Sequence, residues 1–102
     1  MSTESAIEQA TAVADNLRTF DGNVMEWLEG VLDVRRTYGS DKALRSVNLL
    51  VGFGGPNIWV EFDGHSATVE VTWYCEPVTR WVECPELSEQ VLELFDNWAV
   101  TD

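Results

Sequence analysis

Histidine and cysteine, which serve in many catalytic and metal sites, are scarce in this chain of 102 residues. The single histidine, His65, lies in a predicted turn, whereas metal sites and nucleophile–histidine pairs need several such groups close together. The two cysteines, Cys75 and Cys84, are not spaced like the ligands of a zinc knuckle. The sequence therefore predicts no catalytic residue, no metal site and no cofactor, and we expect a protein that is not an enzyme.

Carboxylates are the abundant charged groups. The chain has 18 acidic and six basic residues, a net charge of -12, and from Val47 onward it holds ten acids and a single base, Arg80. A negative field of this kind repels nucleic acids and membrane surfaces and attracts basic protein surfaces. Two interpretations are open at this point: the charge forms a binding surface, or it provides solubility or adaptation to high salt.

The last predicted helix carries the densest group of these carboxylates. It begins at Pro85, because proline is well tolerated at the first helical position. Its apolar side chains recur at helical spacing and predict packing on a sheet: Leu87, Val91, Leu94, Phe95 and Trp98. Its opposite side carries carboxylates three, four and three residues apart, which places them in one line along the helix: Glu86, Glu89, Glu93 and Asp96. We call these four residues the acidic column.

Residues 45–84 alternate between apolar and polar side chains, which predicts an antiparallel sheet with one buried face. The predicted strands cover residues 47–53, 57–62, 67–75 and 80–84. The buried face is expected to hold the apolar set: Val47, Leu49, Val51, Phe53, Ile58, Val60, Phe62, Val69, Val71, Trp73 and Val82. The opposite face, which we call the outer face, mixes aromatic rings with carboxylates: Trp59, Glu61, Glu70, Thr72, Tyr74, Trp81 and Glu83.

Two loops set the predicted register of these strands. A loop from Asp63 to Ser66 keeps apolar side chains opposite one another, in the pairs Phe62–Ala67, Val60–Val69 and Ile58–Val71. A loop around Pro77 places Trp73 opposite Val82 and separates the two cysteines by about 13 Å along the strands. A disulfide needs Cα atoms within about 7 Å, so both cysteines are predicted to be free thiols.

The N-terminal third predicts helix. Ser5 with Glu8, and Asn23 with Glu26, have the spacing of capping boxes. We therefore expect one helix from Ser5 and a second that Gly39 ends after Tyr38, or alternatively a single bent helix over residues 5–38. The predicted fold is a single α+β domain over residues 1–102, with one or two N-terminal helices, a four-stranded antiparallel β-meander and a C-terminal amphipathic helix. Without a membrane span or a signal segment, a cytoplasmic location is expected.

A family resemblance lies in the second half of the chain. The run from Leu49 to Val60 (LLVGFGGPNIWV), a strand with Trp73-Tyr74 and a short acidic helix resemble small proteins of phages and other mobile elements. The acidic α/β anti-CRISPR inhibitors are of this general build. The resemblance implies an accessory protein of the host-cell cytoplasm that binds a host nucleoprotein complex and mimics DNA. The negative charge, which repels phosphates, predicts that the protein binds neither nucleic acid nor a membrane itself.

Two functional hypotheses follow. In the first, an inhibitor occupies the basic, nucleic-acid-binding site of a host protein or nucleoprotein complex, with carboxylates of the acidic column and the outer face in place of phosphates. Trp59, Tyr74 and Trp81 are the expected anchors beside Glu61, Glu70 and Glu83. In the second, a small structural or accessory module dimerises, or binds a protein partner, through the same aromatic face. A competing structural interpretation is that a second layer of helix buries these aromatic rings.

Overall fold

Along the chain, two helices precede a five-stranded sheet and one helix follows it. The computed structural model describes residues 3–53, 57–72 and 77–100, and the side chains of 6–53, 57–72 and 77–96. The elements are α1 (Thr3–Arg18), α2 (Val24–Leu28), β1 (Asp33–Tyr38), β2 (Leu44–Gly52), β3 (Asn57–Phe62), β4 (Ser66–Thr72), β5 (Val78–Glu83) and α3 (Pro85–Val100). The sheet is an antiparallel meander in the order β1-β2-β3-β4-β5. The α+β class is confirmed, but the strand count is five rather than four.

The second predicted helix is wrong beyond Leu28. The Asn23 side chain caps α2 as expected, because its Oδ1 accepts hydrogen bonds from the N–H groups of Met25 at 2.9 Å and Glu26 at 3.3 Å. The helix then ends, and residues 33–38 form β1 instead of continuing it. Gly30 and the β-branched residues that follow disfavour helix, whereas pairing with β2 gives this segment inter-strand hydrogen bonds along one edge. The alternative of one bent helix is wrong for the same reason.

The predicted register is confirmed for one hairpin and wrong for the next. Strands β3 and β4 pair as expected, with Phe62 opposite Ala67 and Val60 opposite Val69. In the next hairpin Val82 lies opposite Ala67 instead of Trp73, and this register also places Val78 opposite Val71, so that apolar side chains face each other. The displacement is by an even number of residues, so the described side chains of β4 and β5 keep their predicted faces. Trp73 and Cys75 themselves lie outside the described residues.

Both long helices pack on the same face of the sheet. The core combines small residues of α1, the apolar stripe of α3 and one face of the strands: Ala6, Ala10, Ala14, Leu17, Val47, Leu49, Val60, Phe62, Ala67, Val69, Val71, Val82, Cys84, Leu87, Val91 and Phe95. Helix α1 lies over β4 and β5, and α3 lies chiefly over β2. Trp27 of α2 meets Phe62 edge-on, with 5.9 Å between ring centroids.

Three of the predicted core positions need correction or qualification. Phe53 is 73 % exposed, because β2 ends at Gly52 after a shift in its pairing with β3 and leaves the next side chain beyond the sheet. Val51 and Ile58 are only partly buried, although both pack against the core. Among the described residues, no helix has the length and apolar character needed to cross a bilayer.

Candidate functional site

The predicted binding residues fall on two sides of the molecule. Helix α3 turns Leu87, Val91 and Phe95 into the core, so its opposite side, with the acidic column, points away from the sheet. The outer face lies on the other side of the sheet, away from both long helices. The structure therefore separates the acidic column from the outer-face residues Trp59, Glu61, Glu70, Trp81 and Glu83 and does not join them into one surface. Tyr74 lies outside the described residues.

Helix α3 is held in place by polar contacts at its first turn. The buried Ser88 hydroxyl accepts a hydrogen bond from the N–H of Gly64 at 2.7 Å and donates one to the carbonyl of Ser66 at 3.1 Å. The N–H of Cys84 donates to the carbonyl of His65 at 3.2 Å. These bonds tie the start of the helix to the β3–β4 turn, so the orientation of the acidic column is fixed by the sheet.

The acidic column is exposed along its whole length, and no cation of the described residues forms an ion pair with it. The ion pairs among the described residues are Arg18–Asp15, Arg45–Asp41 and His65–Glu83, and none includes a column residue. Arg36 of β1 reaches the same helix, but its guanidinium lies over the ring of Phe95, 5.6 Å from the centroid. The column therefore presents four carboxylates to solvent without a neutralising partner in the described part of the chain.

The spacing of these carboxylates approaches that of phosphates in DNA. Glu86 and Asp96 are ten residues apart, which corresponds to about 15 Å along a helix axis. One strand of B-DNA carries a phosphate about every 3.4 Å, and so about four over that length. The column holds four carboxylates over the same distance. Its line charge is therefore comparable to that of a single DNA strand.

The outer face presents aromatic rings and carboxylates together. Trp59 lies opposite Glu70, and Trp81 lies opposite Thr68, which also pairs with Glu61. Trp81 is 60 % exposed, whereas Trp59 is only partly exposed. Both long helices pack on the opposite face, so in the described part of the chain no second helical layer buries these rings. The structural interpretation that such a layer covers them is wrong for Trp81.

The sequence interpretation missed Arg35, which lies on the outer face. Its guanidinium carbon is 4.5 Å from the centroid of the Trp59 ring, in a cation–π contact. The register places it there, because Arg35 pairs with Asn48, and Asn48 pairs with Glu61 next to Trp59. The prediction of helix for residues 33–38 hid this contact. The available signal was the β-branched content around it, in Val31, Val34 and Thr37.

Comparisons of this chain with protein-family models, with curated proteins and with solved structures gave no match.

Titratable groups gather at the β3–β4 turn. Partial burial acts to raise the pKa of Asp63, but hydrogen bonds from the N–H groups of Ser66 and His65 and from the Ser66 hydroxyl outweigh it and lower the pKa. Burial, with the charge of Asp63, raises the pKa of the Cys84 thiol. Cys84 is free, as predicted. Within the described residues, no three histidine, cysteine or carboxylate side chains come together as metal ligands.

Proposed function

We propose that the protein is a non-enzymatic inhibitor that binds a basic, nucleic-acid-handling surface of a host protein complex and mimics DNA, as an anti-CRISPR protein would. The acidic column carries this proposal, because its carboxylates are exposed, unpaired among the described residues and spaced to the line charge of one DNA strand. Such a protein would act in the cytoplasm of the host cell and would contact neither nucleic acid nor membrane directly.

The energetics of the column support binding to a basic surface. Like charges at this helical spacing destabilise an isolated helix by about 0.2–0.5 kcal/mol per pair. A partner rich in arginine and lysine removes this repulsion when it binds, and its own positive field speeds the encounter. The same cations hold nucleic acid phosphates, so the inhibitor and the nucleic acid compete for one site.

Affinity capture from host lysate with two charge-matched variants tests the proposal. The column variant carries Glu86→Gln, Glu89→Gln, Glu93→Gln and Asp96→Asn. The control removes four exposed carboxylates elsewhere, through Glu8→Gln, Asp21→Asn, Glu26→Gln and Glu29→Gln, and has the same net charge. We expect the wild type and the control to capture a nucleic-acid-binding complex that rising salt or added DNA releases, and the column variant to lose it.

Equal capture by the column variant and its control would contradict this function. The charge would then act through the whole molecule rather than through one helix, as expected for solubility or high salt. Circular dichroism of both variants must match the wild type, which is expected because all eight side chains are exposed.

A second candidate function is favoured by Trp81, whose indole ring is largely exposed on the outer face. An accessory module that dimerises or binds a protein partner through this face would associate without nucleic-acid mimicry. Its association would persist at high salt and in the presence of DNA, and Trp81→Ala would abolish it. Sedimentation velocity at several protein concentrations separates the two functions, because a monomer at all concentrations would contradict the dimer.

A further inference from the structure

The tripeptide Trp-Val-Glu occurs twice in the sheet. One copy is Trp59-Val60-Glu61 in β3, and the other is residues 81–83 in β5. In each copy the valine is buried in the core, while the tryptophan and the glutamate lie on the outer face. Both strands are antiparallel to β4, so the two copies run in the same direction. The outer face therefore presents the same pairing of indole and carboxylate at two places.

The first copy already holds a guanidinium group. Arg35 reaches across from β1, two strands away, and lies over the Trp59 ring at 4.5 Å. Glu61 lies two residues after Trp59 on the same face. Glu70 of β4 lies directly opposite Trp59. Tryptophan is the best aromatic partner for a cation, and the planar, weakly hydrated guanidinium stacks on it more readily than an ammonium group does.

The second copy has the same chemistry without an occupant from the described chain. The Trp81 ring is 60 % exposed, and the described residues place neither a cation nor a second ring over it. Glu83 lies two residues after Trp81 on the same face. Glu70 of β4 is diagonal to Trp81, because it pairs with Thr79, two residues before the tryptophan. Strand β5 is the last strand of the sheet in the described part of the chain, where no strand beyond it supplies an equivalent of Arg35.

We propose that Trp81 and Glu83, with Glu70 beside them, form an acceptor site for an arginine side chain of a protein partner. This inference rests on the proposed function in one respect, which is that the arginine belongs to a basic partner surface. It adds the chemistry of recognition, because the site prefers the guanidinium of arginine to the ammonium of lysine. The imidazole of His65 lies 3.1 Å from Glu83 and borders the site.

Peptide titration of the full chain tests this site. Two capped peptides of equal length and charge are used, one with three arginines and one with three lysines, and the indole N–H signals are followed by NMR. Trp81→Phe assigns the signal of Trp81. We expect this signal to move with the arginine peptide, at an affinity about two- to fivefold tighter than for the lysine peptide, as an exposed cation–π contact gives.

Three variants sharpen the test. Glu83→Gln is expected to weaken the arginine preference, and Glu8→Gln, an exposed change far from the outer face, is expected to leave it unchanged. Arg35→Ala frees the ring of Trp59, so a second indole signal, that of Trp59, should respond to the arginine peptide. Arg35→Gln serves the same purpose if the alanine variant does not fold.

Equal affinity for the two peptides, a silent Trp81 signal, or a Trp59 signal that stays silent after Arg35 is replaced would each overturn the inference. These outcomes are independent of the acidic column. If the column variant loses host capture while Trp81 stays silent, the proposed function holds and the arginine site fails. If Trp81 selects arginine while capture is unaffected by the column, the arginine site holds and the DNA-mimic proposal fails.

Discussion

Replacing Ser88 by alanine would remove the polar link between α3 and the β3–β4 turn. The side chain is completely buried, at 0 % exposure, and its hydroxyl bonds both the N–H of Gly64 and the carbonyl of Ser66. After the substitution, the Ser66 carbonyl would keep its hydrogen bond from the N–H of Asp63, at 3.2 Å. The N–H of Gly64 is therefore the group that loses its partner.

The expected loss of stability follows from this single unpaired donor. A buried donor without a partner costs about 1–3 kcal/mol. Gly64 is only half-buried, so water reaches part of it and the lower half of that range applies. Alanine also favours helix over serine, so we expect the free energy of unfolding to fall by about 1–1.5 kcal/mol. For a protein of this size, that corresponds to a Tm lower by roughly 4–12 °C.

Urea denaturation followed by tryptophan fluorescence measures this loss. Ser46→Ala is the matched control, because the Ser46 hydroxyl donates to Glu61 at 3.1 Å in an exposed position and its removal should change stability by less than about 0.5 kcal/mol. Amide exchange of Gly64 should also become faster in Ser88→Ala. A Ser88→Ala protein with wild-type stability and unchanged Gly64 exchange would refute the reasoning.

Two further predictions concern the core and the turn. Phe62→Ala should lower the free energy of unfolding by about 3–5 kcal/mol, because the ring is fully buried against Trp27. The exposed Phe53 is the control, and Phe53→Ala should change the free energy of unfolding by less than about 0.5 kcal/mol. Equal losses in urea denaturation would contradict these placements. The pKa of Asp63 is lower in the folded protein, so its contribution to stability is complete above its unfolded pKa of about 4 and disappears as the pH falls through the folded value. Asp63→Asn should therefore be less stable at neutral pH and should lose less stability on acidification, and identical Tm profiles against pH for the two proteins would argue against this.

The β3–β4 hairpin and α3 could be predicted because their signals are local. Alternating side chains and a short Asp63-Gly64 turn specify which residues of the hairpin face each other. The apolar stripe of α3 repeats at helical spacing, which also puts the acidic column on the opposite side. The β4–β5 register was not predictable in this way, because a shift of the pairing by an even number of residues leaves the described side chains on the same faces, and alternation fits both registers.

The sequence by itself determined the α+β class, the inner and outer faces of the sheet and the acidic column, because side-chain periodicity encodes each of them. Only the tertiary structure decided that residues 33–38 are a strand, since the few β-branched residues there are a weak local signal and the hydrogen bonds to β2 are what form the strand. The same pairing brings Arg35 onto Trp59 and leaves Trp81 open. Both long helices pack on one face of the sheet, and this packing separates the acidic column from the outer face. The separation depends on contacts between residues far apart in the chain.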